Sequence, residues 1–325
     1  MKAFLIKTWV FTMVALAAFT LSLEVWSPFE KKESAAYVST NITYHNTLVE
    51  QLPEYIQVRY NNLGFIGEDF RDSITRPRVF FVGWSNTQSL YVREGKKWTD
   101  FALADAKVWH NNAAADGTLI PSWCKIIGGL QDQKPDYVVA LIDPFVGLKE
   151  KPKKRSDGIT GIISRLRIVD QILLPYLHSL REIKIGHKTV DWAALPAEGG
   201  QHEFIRLSTQ DSLSVVAQLD SLRNAIQTVG AMPVFISAPT PYGNYTDGAV
   251  NMGEKEKSVA TDLQYLEFNA ILKSYCQMND CCFVNGYALQ KKTVYFYDYS
   301  HFTYEGSEAF GLLVRGGLKN CFSTK

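Results

Sequence analysis

Arg78-Val79-Phe80-Phe81-Val82-Gly83-Trp84-Ser85-Asn86-Thr87 is the stretch on which the fold turns. Its first half is a continuous apolar run, rich in β-branched and aromatic residues. A strand with one wet face alternates apolar and polar residues; a strand of a parallel sheet covered on both faces does not. Gly83 then allows a tight turn, and the helix that follows offers Ser85 free backbone N–H groups. A serine at the carboxyl end of a core strand lies where open α/β sheets place their ligand sites. The plainer reading of the same residues is a strand-to-helix turn with Ser85 as its cap.

The pattern repeats on both sides. Val108 to Thr118 reads as a strand followed by a small-residue loop, and Leu119 to Leu130 as a helix with Pro121 near its start. Pro135 to Pro144 is the clearest strand and ends in Asp143-Pro144. Asp211 to Val229 has apolar residues at 213, 216, 219, 222, 226 and 229, a helical stripe. Met232 to Pro239 is another buried strand, Glu254 to Tyr275 a helix, Cys282 to Asn285 a short strand and Tyr304 to Leu318 a closing helix. Strands alternating with helices predict a doubly wound α/β sandwich of three layers with a mainly parallel sheet. Residues 147–210, helical around 162–180, read as an insertion that shapes the cleft. Residues 29–76 read as a polar spacer and a short helical or irregular lead-in, so the main domain is expected over 77–325.

Composition narrows the function classes. A net charge of +1 over 325 residues, with no basic stripe interleaved with aromatics, argues against nucleic acid. The lysine-rich run from Lys149 to Arg155 contains acid and proline and reads as an exposed loop. Lys2 and Lys7 precede an uncharged run from Thr8 to Leu23, which Phe4 to Ile6 and Val25-Trp26 extend to about 20 residues, enough to span a bilayer. Residues 1–28 are therefore expected to anchor the chain with its body on the extracytoplasmic side. The alternative is a signal peptide cleaved near Ala15-Leu16-Ala17, giving a secreted protein.

Cys124, Cys276, Cys281, Cys282 and Cys321 fit an oxidising compartment. The last four are able to form two bridges whose connectivity the sequence does not give. No metal site is expected, because no histidine or acid pattern surrounds these cysteines. Sequons begin at Asn41 and Asn244 and matter only in a host that glycosylates.

Near the C-terminus, Asp298-Tyr299-Ser300-His301 puts a carboxylate and an imidazole three residues apart. A histidine acting as a general base needs its ring held in one tautomer, usually by a carboxylate on Nδ1. A tight turn brings the two together at almost no loop-closure cost. The plainer reading is a helix N-terminus capped by Thr303, with a solvated histidine nearby.

Ser85, Asp298 and His301, in that order, resemble the SGNH (GDSL-like) hydrolase family. Val79 to Thr87 looks like the family's first block, a strand leading into Gly-Asp-Ser. Asn112 to Gly117 looks like its Asn-x-Gly-x-x-Gly block, with Ala114 at the first glycine, and Pro135 to Pro144 like its third-block strand. Asp298 to Gly306 closely matches its Asp-x-x-His-Leu-Thr-x-Glu-Gly block. The Gly-x-Ser-x-Gly elbow of α/β-hydrolases is absent, since Thr87 stands at its second glycine.

The resemblance implies a flavodoxin-like fold and a cofactor-free serine hydrolase. Ser85 would be the nucleophile, His301 the base and Asp298 its orienter; the Ser85 and Ala114 N–H groups would bind the oxyanion. Two departures stand out. Trp84 replaces the acid of Gly-Asp-Ser, and Ile142-Asp143-Pro144 replaces the third-block Gly-x-Asn-Asp, removing an amide donor. Such a donor is worth on the order of 3 kcal/mol in the transition state, and Asn86 is the candidate replacement. The expected activity is membrane-tethered, extracytoplasmic removal of O-acyl groups, acetyl in first place, from a small molecule or glycan. The alternatives are acyl transfer by the same chemistry and a binding or scaffold module on the same fold.

Overall fold

A computed structural model describes residues 40–45, 52–144, 183–184, 207–241, 244–245, 248–249, 262–290, 292–298 and 300–323. The N-terminal run, most of the 147–210 segment and the first residues of the helix expected from Glu254 lie outside them. Residues 38–150 and 184–325 form one compact unit, and the elements below belong to it.

Among its strands are β1 (Thr40–His45), β2 (Tyr55–Tyr60), β3 (Ile66–Gly67), β4 (Arg78–Val82), β5 (Trp109–Asn112), β6 (Tyr137–Ile142), β7 (Met232–Ser237) and β8 (Cys282–Val284). They follow one another across the sheet in the order β8-β7-β6-β4-β5-β3-β2-β1. From β8 to β5 every pairing is parallel; Phe81 sits opposite Asn112 on one side and Val139 on the other. β3 then joins β5 in the antiparallel sense, and β2 and β1 continue so. The sheet is thus mixed. The expectation of a helical or irregular lead-in before residue 77 is corrected, because that region supplies three strands. Its clue was Tyr55-Ile56-Gln57-Val58-Arg59-Tyr60, which alternates exposed and buried residues as a half-buried strand does.

β4 and β6 explain why the centre is parallel. Every residue of β6 is buried, and so are the last four of β4. Val79, Phe81, Val139 and Leu141 face one side, where they meet α2 (Trp98–Leu103) and α6 (Tyr304–Phe322) through Trp98, Phe310 and Val314. Val82, Val138, Ala140 and Ile142 face the other, against α3 (Ile120–Gly128), α4 (Thr209–Thr228) and α5 (Asp262–Met278) through Trp123, Leu222 and Phe268. A strand that feeds two cores has no position for a polar side chain, which is what the unbroken apolar run recorded. These two layers of helix on one sheet are the expected three-layer architecture.

One bridge of the cysteine cluster is present, Cys282–Cys321, tying β8 to the end of α6. Cys124, Cys276 and Cys281 are free thiols. Hydrogen bonding to Cys281, with burial, raises the Cys276 thiol above its ordinary range.

Candidate active site

Ser85 opens α1, the single turn Ser85–Gln88, directly after β4. Trp84 takes the extended cap conformation and packs against the α3–α5 core. Gly83 is required by space: a Cβ there would lie 2.2 Å from Thr87 Oγ1. The turn ends at Ser89, whose φ of 47° is left-handed, a conformation that side chains other than glycine seldom adopt. Ser85 is buried at the carboxyl end of the central strand.

His301 arrives from the far end of the chain on a loop held at both sides. Phe296 and Phe302 form a β-bridge across it, and Tyr297 N–H donates to the His301 carbonyl at 3.1 Å. Asp298 Oδ1 accepts the N–H groups of Ser300 (2.9 Å) and His301 (2.8 Å), an aspartate turn that fixes its carboxylate before any imidazole is considered. Thr303 does cap α6, accepting the Gly306 N–H at 3.1 Å, and its hydroxyl donates to the Val294 carbonyl at 2.6 Å. A Cβ on Gly306 would lie 1.9 Å from the Tyr295 carbonyl oxygen, so the cap packs only with glycine there. Thr303 is thus a cap, while His301, expected to be solvated on that plainer reading, is engaged by Asp298 and Ser85.

The three side chains form a continuous line. His301 Nδ1 lies 2.7 Å and 2.9 Å from the Asp298 oxygens, and His301 Nε2 lies 2.7 Å from Ser85 Oγ. An ionised carboxylate only accepts, so Nδ1 carries the proton and Nε2 is left to accept from the serine. Burial alone would raise the Asp298 carboxyl; the charge and hydrogen bond of His301, with the two backbone N–H groups, outweigh it and hold the group below its ordinary value. Tyr297 stacks on the imidazole at 5.5 Å between centroids and 11° between planes, fixing the ring's rotation. Burial raises the Tyr297 phenol well above its usual range, and the charges of Asp298, Tyr91 and Asp116 add to the effect.

The oxyanion expectations need revision at Ala114. Its N–H already donates to Asn112 Oδ1 at 3.1 Å, while Asn112 Nδ2 holds the Thr87 carbonyl at 2.7 Å. Ala113 and Ala115 donate to the Phe81 and Gly83 carbonyls, and Asp116 N–H to Gln88 Oε1. This loop is therefore sewn to the β4–α1 connection through its own N–H groups rather than holding them open. As the first residues of a helix, Ser85 and Asn86 have N–H groups that the helix itself does not use. Asn86 lines a small cavity with Ser85, Ser89, Tyr91, Val92, Tyr297, His301 and Phe302. Asp143 is buried; burial, with the charge of Asp143, raises the Tyr265 phenol well above its ordinary range.

The sequence reading passed over Lys97, Trp98 and Tyr297. The Trp98 indole N–H donates to the Asn86 carbonyl at 3.0 Å, behind the nucleophile turn. Tyr297 adjoins the Asp298 motif and was readable as part of it. Lys97, in Gly95-Lys96-Lys97, looks like any solvated loop lysine.

No protein-family model matches the sequence, and no curated protein matches it either. Solved structures do. The chain is similar to SGNH hydrolases of known structure. A GDSL-like lipase from Bacteroides thetaiotaomicron is 12% identical at a TM-score of 0.42, covering 77% of this chain and 93% of its own. A protein assigned as an SGNH hydrolase from Slackia heliotrinireducens is 11% identical at 0.42, covering 75% and 100%. An acetylxylan esterase from Geobacillus stearothermophilus is 14% identical at 0.40, covering 75% and 93%. At these identities and TM-scores, what the site does is argued from its own geometry.

Proposed function

We propose that the chain is a serine esterase that removes short O-acyl groups. One observation carries this reading: the unbroken line from Ser85 Oγ through His301 to Asp298. In the first half-reaction His301 Nε2 takes the Ser85 proton as Oγ bonds to the ester carbonyl carbon, and the carbonyl oxygen becomes an oxyanion. His301 then gives that proton to the departing alcohol oxygen as its bond to carbon breaks, leaving an acyl-serine. Water repeats the sequence, releasing the carboxylic acid and restoring Ser85. Asp298 keeps Nδ1 protonated and offsets the charge on the imidazolium throughout. The backbone N–H of Ser85 is the donor best placed for the oxyanion, beside the nucleophile at the start of α1.

The cavity beside the serine is small, and its walls include Val92 and Phe302, so the reading is confined to short acyl groups. A glycan as the acyl carrier, and a membrane anchor with the body outside, extend the reading on the family resemblance and the Lys2–Lys7 asymmetry. The engaged Ala114 N–H and the missing third-block amide favour a second reading, a binding module with little turnover.

Fluorophosphonate labelling and p-nitrophenyl acetate hydrolysis separate the two. The esterase reading expects both in the wild-type protein, both lost in Ser85→Ala, and hydrolysis strongly reduced in His301→Ala. Hydrolysis that survives Ser85→Ala intact, or a wild-type serine that does not label, ends it.

A further inference from the structure

Lys97 is 2% exposed and takes no part in the proton transfers above. Its ammonium donates to two backbone carbonyls, Ser89 and Val92, the latter at 2.9 Å. Both carbonyls belong to the strap that leaves α1 at the left-handed Ser89. Ser89, Tyr91 and Val92 of this strap wall the cavity against Ser85 and His301. The Ser89 carbonyl also accepts Val92 N–H at 3.1 Å, and the Ser89 hydroxyl donates to the Asn86 carbonyl at 2.9 Å. The strap is thus closed on itself, fastened to α1 and pinned from beneath by one side chain.

A lysine is a costly choice for that place. Burial lowers its pKa to about 8, and the charges of Asp100 and Glu94 offset this only in part. Without a donor from beneath, the Val92 carbonyl would lose a hydrogen bond, at a cost of about 1–3 kcal/mol if nothing replaced it, and the Ser89 carbonyl would keep only the Val92 N–H. A neutral donor would avoid the desolvation of a charge. The ammonium instead reaches both at once through charge-assisted bonds, which are roughly twice as strong as neutral ones. That fixes the distance between the two ends of the cavity wall.

We propose that Lys97 is a positioning residue: it fastens the Ser89–Val92 strap as the wall of the acyl cavity and so limits the length of acyl chain accepted at Ser85. The proposal rests on the esterase reading, because the chain length in question is that of the acyl-serine.

The test uses the full chain and compares p-nitrophenyl acetate with p-nitrophenyl butyrate, subtracting Ser85→Ala blanks. The wild-type protein should prefer acetate. Lys97→Met, which keeps length but donates nothing, should lower the acetate-to-butyrate ratio of kcat/KM by roughly ten-fold or more, the scale on which a tight pocket rejects an extra methylene. The change should appear mainly as a lower KM for butyrate. Lys97→Gln, which restores amide donors without charge, should fall between. Val92→Ala opens the same wall without touching the lysine and should relax the same ratio, so the proposal stands or falls even where a Lys97 variant does not fold. Folded Lys97 variants with an unchanged ratio, or with both esters slowed by the same factor, overturn it, as does an unchanged ratio in Val92→Ala. A wild-type protein that neither labels nor hydrolyses is a different result: it ends the esterase reading before any variant is made.

Discussion

Asn86 carries two separable functions in one residue. Its backbone carbonyl accepts from the Trp98 indole and the Ser89 hydroxyl, so the peptide is locked whatever its side chain does. The residue lines the cavity beside Ser85, and its side-chain oxygen lies 3.5 Å from the Thr87 hydroxyl. Truncation to alanine therefore removes an amide from the site and leaves the turn in place. With Ala114 N–H committed to Asn112, the amide of Asn86 is a candidate side-chain donor to charge that develops only in the transition state. Asn86→Ala should lower kcat for p-nitrophenyl acetate roughly ten-fold or more with little change in KM. Steady-state kinetics check this, and a rate equal to wild type assigns the oxyanion to backbone N–H groups alone.

Among the elements, α6 ties the site to the sheet. Thr303 and Gly306 set its start against residues 294–295, three residues from the Asp298 turn, and Cys321 near its end bridges to β8. The bridge spans 39 residues of sequence, and a cross-link of that span contributes about 2–4 kcal/mol, chiefly by restricting the unfolded chain. Cys321→Ser should lower stability by that amount in urea titration while leaving fluorophosphonate labelling of the folded protein in place, since the serine and histidine are held by β4 and by the Phe296–Phe302 bridge. The elements that the sequence showed most plainly were those with one dominant cause: β4 and β6 through burial on both faces, and the Asp298 loop through local turn chemistry. The strands before residue 77 were hidden because they are half-polar, without the unbroken apolar run of β4 and β6, and because β3 is only two residues long and joins the sheet through β5, far along the chain. Ser85, Asp298 and His301 were readable as candidates because each sits at the end of a legible element. The commitment of Ala114 N–H was not, because it depends on which way the Asn112 side chain turns within the folded loop.

For the molecule as a whole, two buried ionisable groups at the site act on stability at opposite ends of the pH scale. The Asp298 carboxyl is held below its ordinary value, so its contribution is complete above the ordinary carboxylate range and is lost as pH falls through the folded value. Lys97 behaves differently. Its pKa drops from 10.5 in the free residue to about 8 in the folded chain, so between those values the unfolded chain binds the extra proton. Stability must then rise with pH across that window. At about 1.4 kcal/mol per pK unit the whole window is worth on the order of 3 kcal/mol. Below pH 8 the folded protein bears the cost of a buried charge; above it the neutral amine still donates to the strap carbonyls. Urea unfolding at pH 7.5 and 9.5 should show the wild-type protein gaining stability relative to Lys97→Met as pH rises. Taking the difference between the two proteins removes the titration of tyrosines and thiols common to both. A difference that stays flat, or runs the other way, would mean that burial beneath the strap does not disfavour the charge on Lys97.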